Sequence, residues 1–268
     1  MTQYTGIRKY IRKLELWGRK IVRTVGPIKK DYKFDKSPII IGGCGRSGTT
    51  LLLSIIGAHP NIFSFPDEVM AFFDWVPDEE GDGYEPKRID RLYRAMLLNR
   101  IPNQVDRWCE KSPPNVLYFD KILDYFNGEV NLIHIVRDGR DVMLSKHPKK
   151  PDEYWVSPQR WVNDVRAGLE FKDHSQVLTI KYENLIVDYN TTIEKICDFI
   201  GEDCTEEVYS WLENTNVKKN EAWSGQVKKL HSSSIEKWKQ PQNKERVQEV
   251  MQNEEVVKLL KELDYEVK

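Results

Sequence analysis

Buried-looking apolar runs alternate with stretches of helical periodicity along most of the chain. Residues 39–42 form an apolar run, a glycine-rich turn follows, and a second apolar stretch fills 49–58, which predicts a buried strand, a turn and a helix. Residues 130–136 and 177–182 predict two further buried strands, and 107–114 reads as a short strand stopped by Pro113 and Pro114. Helical spacing falls at 91–98, 116–126, 159–171 and 190–200, and an apolar helical stretch is expected to run up to Trp75. Strands alternating with helices imply right-handed crossovers, hence an α/β fold with a central parallel sheet flanked by helices. Residues 244–263 predict a closing amphipathic helix, and the polar stretch 221–239 a loop. The acidic stretch 74–90, with Pro77, Gly81, Gly83 and Pro86, reads as a mobile loop or lid.

The N-terminus has a different pattern. Ile7, Ile11, Leu14, Trp17, Ile21 and Val25 recur every three or four residues, and residues 1–36 carry eleven Lys or Arg against Glu15, Asp31 and Asp35. This predicts a basic amphipathic helix whose apolar stripe packs on the rest of the protein, with an anionic membrane surface as the alternative partner. The expected organisation is therefore an arm, residues 1–36, and one α/β domain, residues 37–268.

Charge and cysteines narrow the function classes. The 41 basic and 42 acidic residues give a net charge of -1, without the basic field of a nucleic-acid binder, so no nucleic-acid partner is expected. No apolar run approaches the roughly 20 residues needed to span a bilayer, and no signal-peptide core is visible, so a cytoplasmic protein is expected, the arm being its candidate peripheral membrane contact. Cys44, Cys109, Cys197 and Cys204 form no C-x-x-C pair and show no zinc-ligand spacing with histidine, so reduced thiols and no metal are expected.

The candidate chemistry begins in the turn after the first strand. Gly43 and Gly48 stand where a P-loop needs glycines and Thr50 takes the hydroxyl position, while Thr49 fills the slot of the lysine that reaches β- and γ-phosphates. Such a loop still cradles a 5′-phosphate through backbone amides and the helix dipole. Arg46 is the replacement cation, and its planar guanidinium suits an anion lying across the turn, such as a phosphate bearing a sulfuryl group. The plain alternative is a ligand-free glycine-rich turn. A P-loop-type three-layer sandwich follows if the loop binds phosphate. At the end of the 130–136 strand, Arg137 and Ser145 could meet on one side as donors to a second phosphate, or Arg137-Asp-Gly-Arg-Asp141 could be a surface run of ion pairs.

Two segments in this order resemble the sulfotransferases that use 3′-phosphoadenosine-5′-phosphosulfate (PAPS). Gly45-Arg-Ser-Gly-Thr-Thr-Leu51 is similar to that family's 5′-phosphosulfate loop, and the segment from Ile135 to Ser145 to its 3′-phosphate segment. The likeness covers the chain from about Ser37 onward. It implies PAPS as sulfuryl donor and 3′-phosphoadenosine-5′-phosphate (PAP) as product, with Arg46, Ser47, Gly48, Thr49 and Thr50 on the 5′-phosphosulfate and Arg137 with Ser145 on the 3′-phosphate. Pro66-Asp-Glu68 and Cys109-Glu-Lys-Ser-Pro113 resemble the tyrosylprotein branch and its bacterial relatives, which points to Glu68 as base and Lys111 as a cation assisting transfer. Tyr182 resembles the family tyrosine near the adenosine. Ser224, Gln226 and Lys237 fall in what resembles the late segment that folds over the nucleotide, and Lys149 stands where the branch has an arginine.

The implied reaction needs charge stabilisation, from Arg46 and Lys111, and removal of a proton from a hydroxyl or amine acceptor, from Glu68. Asp67 is the neighbouring rival, and a helix cap the non-catalytic role for either carboxylate. His59 reads as a capping or packing residue and His134 as a core histidine. Phe72, Phe73, Trp75, Tyr84, Trp155 and Trp161 are candidates for an acceptor pocket or for core. Carbohydrate, lipid, peptide and small phenol remain open as acceptors. The competing functions are a P-loop kinase or NTPase, and a non-catalytic nucleotide-binding protein that docks on membranes.

Overall fold

The computed structural model describes residues 2–78, 81, 83–147, 150–220, 225–226 and 232–267, with side chains at all of these except 2–13, 219–220, 225–226 and 232. The order is α1 (Thr2–Lys33), β1 (Ile39–Gly42), α2 (Thr49–Ile56), β2 (Ile62–Ser64), a hairpin of β3 (Trp75–Pro77) and β4 (Tyr84–Pro86), α3 (Ile89–Leu98), β5 (Arg107–Lys111), α4 (Phe119–Tyr125), β6 (Asn131–Val136) and α5 (Gly139–Met143). A hairpin of β7 (Lys146–His147) and β8 (Lys150–Tyr154) follows, then α6 (Pro158–Leu169), β9 (Val177–Lys181), α7 (Tyr182–Val187), α8 (Tyr189–Ile200), α9 (Glu206–Tyr209), α10 (Trp211–Asn214), the pair β10 (Lys219–Asn220) and β11 (Gly225–Gln226), α11 (Lys244–Met251) and α12 (Glu254–Glu262).

Five strands make one sheet in the order β2-β5-β1-β6-β9, and every neighbouring pair is parallel. Because strand side chains alternate in direction, β1 divides its isoleucines between two cores. Ile39 and Ile41 pack with Leu52, Ile55, Leu185, Ile193 and Ile196, beneath α2, α7 and α8. Ile40 packs with Phe65, Leu92, Met96, Trp108, Phe119 and Ile122, beneath α3 and α4. Each such side chain contributes about 1.5–3 kcal/mol when fully buried, so covering both faces holds the helices on the sheet. This is the α/β sandwich expected from the pattern. A third cluster, with Val142, Trp161, Val165, Leu259 and Leu260, fastens α12 against α5 and α6.

Several local expectations are corrected. The segment before Trp75 is not helical: Met70 takes φ 52° and its amide donates to Ser112 Oγ at 2.9 Å, which directs the chain away from a helix. Residues 62–64 pair with β5 as an edge strand too short to show alternation. Pro113 and Pro114, lacking donors, open a 3₁₀ turn to Tyr118 before α4 starts. The closing helix is two helices, since Asn253 Oδ1 accepts from the amides of Glu255 and Val256 and starts α12 afresh. The 74–90 stretch holds the β3/β4 hairpin and the start of α3, with residues 79, 80 and 82 outside the described set.

The arm is helical, but its expected apolar contact is reversed. Leu14, Trp17, Ile21 and Val25 are 53%, 66%, 43% and 42% exposed. Contact with α3 is made instead by Val22 and Gly26. A Cβ at Gly26 would stand 2.2 Å from Tyr93 Cβ, so only glycine allows this approach. Arg23 pairs with Glu85 at 3.3 Å, and Lys33 donates to Asn103 O at 2.9 Å. No helix among the described residues is long and apolar enough to cross a membrane.

Candidate active site

Gly43 and Gly48 hold the turn after β1 in shapes that other residues resist. Gly43 has φ 153° and an added Cβ would meet Ile135 O at 2.5 Å; Gly48 has φ 94° and an added Cβ would meet the Tyr182 ring at 2.3 Å. Arg46 is left-handed without being glycine, with φ 73°, a strain of about 1–2 kcal/mol that marks the turn as constrained. The first bond of α2 runs from Leu52 N to Gly48 O, so the amides of Thr49, Thr50 and Leu51 have no acceptor within the helix. These residues line a cavity of about 650 Å³ beyond the carboxyl ends of the sheet strands.

The same cavity is lined by Arg46, Gly48, Thr49, Thr50, Glu68, Arg137, Ser145, Tyr182 and Lys237, so nine of the site residues expected from sequence meet there. Ser47 is fully buried outside the lining, and Lys111 reaches the cavity only through Glu68. Ser224 and Lys149 lie outside the described residues; for Gln226 the backbone alone is described, in β11. A separate cavity of about 410 Å³ around His59 has Arg100 as its one cation among the described residues.

Positive charge dominates the larger cavity. Arg137 donates from Nη1 to Arg46 O at 3.0 Å and from Nη2 to Ser234 O, and its guanidinium lies 4.4 Å over the Tyr182 ring. Tyr182 in turn shares a 2.7 Å hydrogen bond with Ser234 Oγ. Burial, and then the charge of Arg137, lower the pKa of both Arg46 and Lys237, so an anion between these cations would relieve their repulsion. The buried Nε atoms of Arg46 and Arg137 and Oγ of Ser47 have no hydrogen-bond partner among the described residues. Unspent donors of this kind fit a polyanion with two phosphate-like ends. Asp141 Oδ1 accepts from Trp238 N at 3.0 Å, which ties down the segment carrying Lys237, and burial pushes its carboxyl up to about 6.

At the other end, Lys111 Nζ donates to Glu68 Oε1 at 2.7 Å. Behind this pair, the fully buried Glu110 accepts from Ser112 Oγ at 3.1 Å and from Asn115 Nδ2. Burial pushes Glu110 up to about 7 despite these donors and Lys111. Since Ser112 Oγ also accepts from Met70 N, one network connects β5 to the loop that carries Glu68.

The remaining candidates separate cleanly. Asp67 is exposed and does not line the cavity. His59 is held by Asp203 O and Asn61 N, a packing role. His134 lies against Gly168 in the sheet interior, and burial drives its pKa down to about 3, so it is a neutral core residue. Phe72 and Trp161 are fully buried core, whereas Trp155 lines the cavity 5.8 Å from the Arg46 guanidinium. The sequence reading missed Asp141, Arg160 and Ser234 as lining residues. No local spacing links them to the loop; only the charged, non-repeating character of 137–141 hinted at the first.

A glycine-rich turn after β1 and a second cationic cluster after β6 meet in one cavity of an α/β fold, and Thr49 fills the loop position at which P-loop kinases and NTPases carry lysine. Residues 38–207 match the sequence model of the sulfotransferase family, and the chain belongs to that family. It is similar to rat Sulfotransferase 2A2, with 28% identity over 197 residues, 64% of this chain and 62% of that protein. The sulfotransferase domain of the Synechococcus PCC 7002 olefin synthase shares its fold, with TM-score 0.61 and 18% identity over 88% of this chain and 97% of that one. Mouse sulfotransferase SULT7A1, solved with PAP, aligns with TM-score 0.50 and 20% identity over 85% of this chain and 88% of that one. The chain spans less than two thirds of the length of the curated relatives it matches.

Proposed function

We propose that the protein transfers a sulfuryl group from PAPS to a hydroxyl or amine acceptor. The observation that carries this reading is the convergence of Arg46, Arg137 and Lys237 on a P-loop-like turn with a threonine in the lysine slot. Bound there, PAPS would supply an activated sulfuryl group whose leaving group is a phosphate. The turn's amides, with Ser47, Thr49, Thr50 and Arg46, hold the 5′ end. Arg137 and Ser145 hold the 3′-phosphate, and Tyr182, already fixed by Arg137 and Ser234, supports the adenosine.

Glu68 takes the acceptor's proton as the new S–O or S–N bond forms and the sulfuryl–phosphate bond breaks, while Arg46 and Lys111 stabilise the charge on the moving oxygens. A proton leaves the acceptor and PAP leaves the site, so the reaction balances without a further reactant. The cavity that Glu68 faces has an apolar wall made by Leu51, Met70, Pro113 and Pro114. That wall favours an acceptor with an apolar body next to its nucleophile. The test is release of PAP from PAPS, followed with a panel of steroid, phenol, lipid and carbohydrate alcohols. Acceptor-dependent PAP release, lost in Glu68→Gln, is the expected result; PAPS left intact with every acceptor contradicts the reading.

A further inference from the structure

The solvent side of α1 carries a continuous apolar stripe. Leu14, Trp17, Ile21, Val25, Ile28 and Tyr32 are each exposed, from 42% at Val25 to 92% at Tyr32. They advance eighteen residues in five steps, the 3.6-residue period of an α-helix, so they share one face of α1 on both sides of Pro27, which lies within the helix. Val22 and Gly26, which touch the body of the protein, lie on another face of the helix. This face is therefore left over after folding and not a frayed part of the core.

We infer that α1 binds the surface of an anionic lipid bilayer through this stripe. Charge selects the partner. Residues 1–36 hold eleven basic and three acidic residues, a local charge of +8, and the whole chain has -1, so residues 37–268 carry -9. An anionic surface attracts the arm and repels the rest, although Arg19, Arg23 and Lys36 are paired with Asp90, Glu85 and Glu202. Lys20 and Lys29 flank the stripe, and Trp17 and Tyr32, side chains suited to the boundary between lipid and water, stand toward its two ends.

The arm is linked to the cavity through α3. Arg91, in the first turn of α3, donates to O of Met70, a cavity-lining residue, at 3.1 Å. Arg23 of α1 is beside Lys87, just before α3, whereas Lys33 is beside Asn103, beyond its end. Arg23 thus stands at the end of α3 nearer the cavity and Lys33 at the far end, so α1 runs parallel to α3.

The test is co-sedimentation of the full chain with vesicles of phosphatidylcholine alone, or of phosphatidylcholine with phosphatidylglycerol. Wild-type protein is expected to pellet with the anionic vesicles only, less so at high salt. Trp17→Glu with Ile21→Glu is expected to lower partitioning by about tenfold or more, with an unchanged circular dichroism spectrum and melting temperature because both positions are exposed. Failure to pellet with anionic vesicles overturns the inference, and so does equal binding by the double variant. A concentration-dependent dimer abolished by the same variant, without vesicle binding, would assign the stripe to a second copy of the chain and also overturn it. None of these readouts depends on sulfuryl transfer.

Discussion

Lys111 Nζ donates to Glu68 Oε1 at 2.7 Å, and the two partners sit in unlike surroundings: the lysine side chain is 1% exposed and the glutamate 43%. The lysine cannot leave its place in β5, while the carboxylate faces the cavity and remains open to a substrate proton. Glu68→Gln keeps an oxygen for Lys111 to donate to but removes the basicity. Turnover should fall by about 10²–10⁴-fold while PAP affinity stays within about twofold of wild type. Steady-state transfer and calorimetry on the same preparation check both halves.

Arg137→Ala should act on binding. It removes the donor to Arg46 O and Ser234 O and the cation over Tyr182, so it loosens the turn as well as deleting a charge. A loss of about 1.5–3 kcal/mol, roughly 10- to 150-fold in PAP affinity, is expected from charge-assisted hydrogen bonds. Arg137→Lys should not restore it, because an ammonium cannot span two acceptors and lie over the ring in the same way. Titration of the three proteins with PAP checks this.

Gly48→Ala places a Cβ 2.3 Å from the Tyr182 ring at φ 94°. The variant should lose about 1–3 kcal/mol of stability and bind PAP more weakly, since the turn and Tyr182 must both shift. Urea unfolding and calorimetry measure the two effects.

Glu110 holds its proton more tightly in the folded chain than in the unfolded one, its carboxyl moving from 4.5 to about 7 through burial. Its stabilising contribution is therefore full below about pH 4.5 and is lost as pH rises through about 7. Unfolding free energy should fall by a few kcal/mol between pH 5 and pH 8, about 1.4 kcal/mol for each tenfold drop in proton activity across that window, and Glu110→Gln should flatten the dependence. Because Ser112 links Glu110 to Met70, the same variant should also lower turnover more than PAP affinity. Urea melts across the pH range, with transfer assays beside them, decide it.

Much of this architecture was legible in the sequence because it is local. Runs such as Ile39–Gly42 and Asn131–Val136 announce buried parallel strands, and the loop's glycines announce the tight turn between β1 and α2. Arg137 and Ser145 could be read only as donors at another strand end, and Tyr182 only by resemblance, as the sheet order that gathers them is not written in any one segment. What failed to show was long-range. The exposed face of α1 is decided by Gly26 meeting Tyr93, and the irregular path through Met70 by Ser112, 42 residues away. Ser234 and Arg160 join the cavity through tertiary folding alone.

The central claim is that the cation-lined turn is a PAPS site, and the most direct measurement is calorimetric titration with PAP against AMP and ATP, with and without magnesium. The account predicts that PAP binds far more tightly than AMP, independently of magnesium, because Arg46, Arg137 and Lys237 require both phosphate ends. Magnesium-dependent binding of ATP with no binding of PAP would contradict it.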